Sequence, residues 1–199
     1  CQFVRRGYQQ RLLISTEGSF SARLDANSFL ITPYQVDRNT VDAEDIVLVR
    51  QGYCERGKIP SRAALNHQAI YDRNPQIHAM VNAYTVNATA FGVTGTLLDT
   101  RTIPESYIFL RDVNSIPYGV QFLDRETLVR SISPERPIAV MENDGVLVVG
   151  KSILDTFDRL EVLESTAEAI INSRAIGNVS AMSDQVISDL RAVFLSKST

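Results

Sequence analysis

Residues 138–141 (Ile-Ala-Val-Met) and 146–149 (Val-Leu-Val-Val) are short apolar runs on either side of Glu142-Asn143-Asp144-Gly145. Asp-Gly between two β-prone runs signals a hairpin, because both residues tolerate the backbone of a tight antiparallel turn. Just beyond it the period changes. From Ser152 to about Ser173, the apolar residues Ile153, Phe157, Leu160, Leu163, Ala167 and Ile170 recur at three- and four-residue steps. That spacing marks one buried stripe on a long helix. Asp155, Arg159, Glu161, Glu164 and Glu168 fall largely outside the stripe. Ser152 and Asp155 have capping-box spacing, with Asp in the usual Glu role. An apolar hairpin that runs into a one-sided helix restricts the chain to a sheet with helices packed on it.

The remaining segments agree. Residues 20–24 and 28–32 flank Asp25-Ala26-Asn27 and read as a second hairpin with a three-residue turn. Residues 46–49 and 77–81 read as strands. Residues 61–72 read as a helix with Ser61 near its cap, ended at Asn74-Pro75 because proline pushes the preceding residue out of the α region. A short helix is expected at 85–91 and a final one at 183–195, with Val186, Leu190 and Val193 or Phe194 inward. Residues 92–117 read as loop-rich. The sum is an α/β sandwich whose hairpins put antiparallel strands in the sheet. The 199 residues are expected to form a single domain over 1–199, long enough to bury a core without staples. The chain begins with Cys1 in a helix-like stretch over 1–7, which points to a truncated or processed start.

Charge and composition exclude several functions. A formal charge of −3, a pI near 5.4 and no long basic run argue against nucleic acid, which selects a basic face. No segment approaches the roughly 20 apolar residues of a bilayer span, and Trp is absent, so no membrane role is expected. Cys1 and Cys54 make neither a disulfide framework nor a zinc ribbon, and reduced thiols in a cytoplasmic protein are the simplest reading. Cys54, with only Arg56 and Lys58 nearby, reads as inert. With only His67 and His78, the chain lacks the imidazoles for a His-rich metal site. His67, near Leu65 and Ile70 on a helical face, reads as a structural, hydrogen-bonded histidine; His78 reads as structural or exposed. Arg23 is expected in a structural ion pair or bonded to backbone.

Several segments fall in a familiar order: Gly18-Ser19-Phe20-Ser21-Ala22-Arg23, Phe29-Leu30-Ile31-Thr32-Pro33, Pro60-Ser61, Ala88-Thr89-Ala90-Phe91 and Asn143-Asp144-Gly145 through Gly150. Over roughly residues 3 to 175 the chain resembles the class II aldolase and adducin family, whose segments are G-N-x-S-x-R, L-I-T-P-S-G, P-S-S-E, H-T-H and N-H-G-x-x-x-x-G. The resemblance implies a three-layer α/β/α sandwich with a largely antiparallel central sheet, and a homo-oligomer, commonly a tetramer. For active members it implies zinc enzymes that cleave a sugar phosphate by a retro-aldol reaction. There, three imidazoles hold the Lewis acid and leave open positions, a carboxylate moves the proton, and backbone N–H groups and hydroxyls cradle the phosphate.

Carried over residue by residue, the H-T-H pair falls on Asn82 and Tyr84, and the histidine of N-H-G falls on Asp144. The acid/base Glu falls on Ala63. The resemblance therefore implies loss of the metal site and of the base, so no cofactor, no metal and no confident catalytic residue are expected. Asn82, Tyr84 and Asp144 offer one carboxylate between them, too few for a hard-cation site, and read as a polar pocket remnant. The anion cradle is less eroded. Gly18, Thr32, Pro33 and Ser61 remain, Ser19 replaces Asn, Tyr34 and Gln35 replace Ser-Gly, and Arg62 replaces the second Ser. Ser19, Thr32, Ser61 and Arg62 are thus the candidate anion pocket, with Arg62 able to pair with phosphate bidentately.

Two functions follow. One is a catalytically degenerate aldolase-fold domain that serves oligomerisation or interaction, or binds a small sugar-phosphate or anionic ligand. The other is an active aldolase, lyase or epimerase on a sugar phosphate with a non-standard site, drawing on residues such as Tyr107, Tyr118 or Asp112. Retained metal separates them, since the family's chemistry needs a divalent ion.

Overall fold

The computed structural model describes residues 1–195. Its strands are β1 (Ser19–Asp25), β2 (Ser28–Ile31), β3 (Val47–Arg50), β4 (Tyr53–Cys54), β5 (Ala79–Ala83), β6 (Asn114–Ile116), β7 (Ile138–Met141) and β8 (Val146–Gly150). They join one sheet in the order β4-β3-β2-β1-β5-β8-β7-β6. Every neighbouring pair is antiparallel except β6 with β7. The helices are α1 (Gln2–Gln9), α2 (Ala64–Arg73), α3 (Val86–Thr94), α4 (Pro104–Leu110), α5 (Val120–Leu123), α6 (Arg125–Arg130), α7 (Ile153–Ser173) and α8 (Asp184–Leu190).

The two-residue side-chain period of the central strands sorts them between two cores. Val81 and Ala83 of β5, Val146 and Val148 of β8, and Ile138 and Val140 of β7 enter one core, together with residues of α1, α3, α4 and α7. Met80, Leu147, Val149, Ala139 and Met141 enter the other, against α2 and α6. Helices therefore cover both faces, and the fold is a three-layer α/β/α sandwich around a mostly antiparallel sheet. Apolar runs such as Val146-Leu147-Val148-Val149 are apolar at every position because neither face meets water.

The long helix follows its stripe: Phe157, Leu160, Leu163, Ala167 and Ile170 are buried and Ile153 is half-buried. Ser152 Oγ accepts from Asp155 N at 3.1 Å. Asp155 Oδ2 accepts from Lys151 N at 2.9 Å rather than from Ser152, so the box closes one residue further out than its spacing suggests. The helix expected from Ser61 begins at Ala64, and Ser61 Oγ instead accepts from Ala63 N at 3.2 Å ahead of it. The loop-rich reading of 92–117 is corrected by α4, with proline in its first turn, and by β6. The last helix also differs. It stops at Leu190 and widens into a π turn over Arg191–Leu195, which rotates the following side chains off the stripe. Val193 and Phe194 are exposed there, and within the regular part of the helix Ile187 is buried in place of Val186, which is exposed. Among the described residues, no helix is long and apolar enough to cross a membrane.

Candidate ligand pocket

β1 begins, β5 ends and the β7–β8 turn closes at the same end of the sheet, where a cavity of about 320 Å³ opens. Ser19 pairs with Asn82 across β1 and β5, which places both side chains on the α2 face. The β7–β8 turn reaches the same place because Gly145 has no side chain. A Cβ there would lie 2.2 Å from Ala83 O and 3.0 Å from the Tyr84 ring. Asp144 is thereby set beside Tyr84 at the cavity wall.

The cavity gathers Ser19, Ser61, Arg62, Ala63, Asn82, Tyr84 and Asp144. Sequence reasoning named all seven. Thr32 is not among the residues that line this cavity. Its Oγ1 accepts from Phe20 N at 3.2 Å, and it lines a separate apolar cavity of about 350 Å³ with Phe3, Val4 and Phe20. Only its carbonyl serves the site, by accepting from Ser61 N at 3.0 Å. Tyr107 and Asp112 are also outside, bonded to Arg191. Tyr118 is exposed and meets the ring of Phe122, which lines the cavity, edge-on at 6.4 Å between centroids.

Within the lining, Ser19 and Ser61 are buried and hydrogen-bonded to each other through their hydroxyls. Arg62 projects from the rim, 3.1 Å from Glu17 Oε2 and stacked 5.8 Å over Tyr34. Gly18 sits at φ +92, and a Cβ would fall 2.4 Å from Leu13 Cδ2. Its carbonyl accepts from Arg38 Nε at 2.9 Å, while the same guanidinium donates to Val36 O and Pro33 O. Arg38 is only 2% exposed; burial lowers its pKa, partly opposed by Glu17 and Asp37. This buried arginine clamps the 33–36 loop to the start of β1.

Elsewhere in the lining, Asp144 Oδ2 accepts from Gln121 Nε2 at 2.7 Å, and Asn66 Nδ2 holds the Gln121 carbonyl at 2.9 Å. Burial, then the negative charges of Asp144 and Glu17, push the Tyr84 phenol up to about 12, with Arg62 opposing. It stays protonated at neutral pH. Asn82 Oδ1 lies 2.7 Å from His67 Nε2. His67 is fully buried, and burial pulls its pKa down to about 4, so the ring is neutral. Its Nδ1 meets Ser21 Oγ at 2.7 Å, and Ser21 Oγ meets Tyr71 OH at 2.8 Å. His67 is thus a bonded core histidine, as its position suggested. His78 is exposed, Arg23 bonds the carbonyls of Tyr71, Asn74 and Ile77, and both cysteines are free.

These donors do not fit zinc. The Asn82 oxygen is engaged by His67, Tyr84 is a protonated phenol, and Asp144 is bonded to Gln121. No cluster of three or more His, Cys, Asp or Glu suited to a metal occurs among the described residues. Glu17, Asn66, Gln121 and Phe122 were not anticipated in the lining. Nothing local in the sequence marks them; only the contact of α2 with the α5 region brings Asn66 and Gln121 in.

The sequence pattern of the Class II Aldolase and Adducin N-terminal domain matches residues 1–171. A 3-oxo-tetronate 4-phosphate decarboxylase of Haemophilus influenzae is 29% identical over 175 residues, covering 84% of this chain and 82% of that protein. An L-fuculose phosphate aldolase of Methanococcus vannielii is 27% identical over 163 residues, covering 81% and 87%. Among solved structures, YgbL of Escherichia coli superposes with a TM-score of 0.84 at 23% identity, over 96% of this chain and 94% of that one, and so shares the fold.

Proposed function

Because the chain belongs to the class II aldolase and adducin family, we propose that its cavity binds a phosphorylated sugar or a similar small phosphate ester, without the family's zinc-dependent cleavage. One observation carries the reading: a single cavity brings Ser19, Ser61 and Arg62 together with Ala63, Asn82, Tyr84 and Asp144, the residues on which the resemblance puts the base and the metal ligands. The phosphate sits against the paired hydroxyls of Ser19 and Ser61. Arg62 exchanges Glu17 for the phosphate, a bidentate charge-assisted pair. Asn82, Tyr84 and Asp144 meet the hydroxyl and oxo groups of the carbon chain. The names of the two curated relatives, each a phosphate ester of a sugar-like chain, support that substrate class.

A second reading has its own support. Glu17, Tyr84 and Asp144 converge on the cavity, and a protonated phenol beside a carboxylate is able to move a proton. That arrangement suits a metal-independent lyase. Titration calorimetry with L-fuculose 1-phosphate, in chelator and again with added Zn²⁺, tests the first reading. We expect the same affinity in both, and about a tenfold loss in Arg62→Ala. Binding that requires Zn²⁺, or no binding, refutes it. Release of a phosphorylated fragment in chelator, followed by ³¹P resonance, selects the second.

The same proposal includes a homo-oligomer, a tetramer by family resemblance. It is supported by Tyr118, Phe122 and Leu123, which stand exposed together beside the cavity mouth. Light scattering at the mass of one 22.1 kDa chain refutes it.

A further inference from the structure

The polarity of the Asn82 amide is decided by groups outside the cavity. Tyr71, Ser21, His67 and Asn82 form one row of hydrogen bonds, with 2.8, 2.7 and 2.7 Å between successive partners. A tyrosine has one proton to give, a serine one, and a neutral imidazole one. Among the described residues the other acceptor within reach of Tyr71 OH is His78 O, and at 3.5 Å it lies at the far limit of a hydrogen bond, against 2.8 Å to Ser21 Oγ. Tyr71 therefore donates to Ser21 Oγ. Ser21, having accepted, donates to His67 Nδ1. The imidazole proton is left on Nε2 and goes to Asn82 Oδ1.

That assignment leaves the Asn82 Nδ2 group facing outward. Its side chain lines the cavity, and Nδ2 has no protein partner among the described residues. We infer that His67 is a positioning residue whose Nε2–H fixes the Asn82 amide, so that the cavity meets an oxo or hydroxyl oxygen of its ligand with an N–H donor. The inference deepens the proposed reading and rests on it for the ligand class. A fixed, partly desolvated amide N–H is a neutral donor of the kind that lines an oxyanion hole. It stands at a position where the resemblance puts a metal ligand. A zinc there would need an acceptor, and the row of protons supplies the opposite.

Two measurements test this. The first is the imidazole ¹⁵N spectrum of the intact protein between pH 6 and pH 8. We expect the Nε2-protonated neutral tautomer for His67; the Nδ1-protonated tautomer overturns the inference, because Asn82 then offers its oxygen. The second compares two amides at residue 67. His67→Gln can place an N–H near the Nε2 position, whereas His67→Asn reaches only the Nδ1 position. Both lose the ring, so a purely structural role weakens both alike. We expect His67→Gln to keep L-fuculose 1-phosphate affinity within about threefold and His67→Asn to lose about tenfold, thermal melting showing both folded. Equal affinity in the two folded variants overturns the inference. If the wild-type protein binds no phosphate ester, the binding reading fails, and the tautomer alone decides the orientation of Asn82.

Discussion

Acidification from pH 7 to pH 5 provides a direct energetic check on the buried His67. Its folded pKa, about 4, lies below the ordinary 6.5. The unfolded chain therefore binds the proton that the folded chain refuses, and stability falls as pH drops below about 6.5 and levels off below the folded value. Above 6.5 both states are neutral and the residue contributes no slope. Between pH 7 and pH 5 the linkage integral comes to about 2 kcal/mol. Carboxylates titrate over the same range, so the quantity of interest is a double difference between wild type and His67→Gln. The chain contains no Trp, which makes far-UV circular dichroism in urea the suitable probe. For a urea slope of about 2 kcal/mol/M, the wild-type midpoint should fall by about 1 M more than that of the variant. Protein concentration is held constant, since assembly couples to stability. Identical midpoint shifts in the two proteins refute the argument: His67 would then be charged in the folded state, or not buried.

Three further outcomes are expected. Gly18→Ala should lower stability by about 2 kcal/mol or more, from the φ of +92 and the overlap with Leu13, as read by thermal melting; an unchanged melting temperature contradicts the placement of that loop. Arg38→Met strands the carbonyls of Gly18, Pro33 and Val36, and urea unfolding should register a loss of at least about 3 kcal/mol. Ile187→Ala should cost about 2 kcal/mol while Val186→Ala stays within about 0.5 kcal/mol, and the reverse ranking would restore the helix face first read from the sequence.

The sheet was legible where local and tertiary demands coincide. The β7–β8 hairpin, the β1–β2 hairpin and the α7 stripe each carry a period and a turn or cap signal within a few residues, and each forms there, although the β1–β2 turn tightens to Ala26-Asn27 because Asp25 pairs with Ser28 after a register shift. The segment around α4 carries no such agreement. A seven-residue helix has too few turns to show a period, and α4 is held by contacts distant in sequence, such as Ser106 Oγ with Thr166 Oγ1 at 2.7 Å. The parallel strand β6 is three residues long, below the length at which alternation can be read. The error at α8 has another cause. Within α8 the buried position is Ile187 rather than its neighbour Val186, and beyond Leu190 the backbone changes period at Arg191, so Val193 and Phe194 leave the face a constant helical period gives them.

Thr32 and His67 show why the site was legible in position more than in polarity. Motif order brought Ser19, Ser61, Asn82, Tyr84 and Asp144 to one cavity because the family fold fixes where those segments end. Thr32 stays out of that lining because its hydroxyl, just past the end of β2, turns back onto the neighbouring strand at Phe20 N, and no motif records that rotation. The direction of the Asn82 amide depends on Tyr71, Ser21 and His67, whose sequence separations reach 50 residues and which meet only through strand register and the seat of α2. Such a row couples core and site: changing His67 alters folding energy and cavity polarity together. Arg62 is decoupled, since it is 72% exposed, its ion pair is with the half-exposed Glu17 and its ring contact is with Tyr34 at the rim, so its removal should change binding with stability nearly constant. Comparing the two residues therefore separates what the cavity recognises from what holds it open.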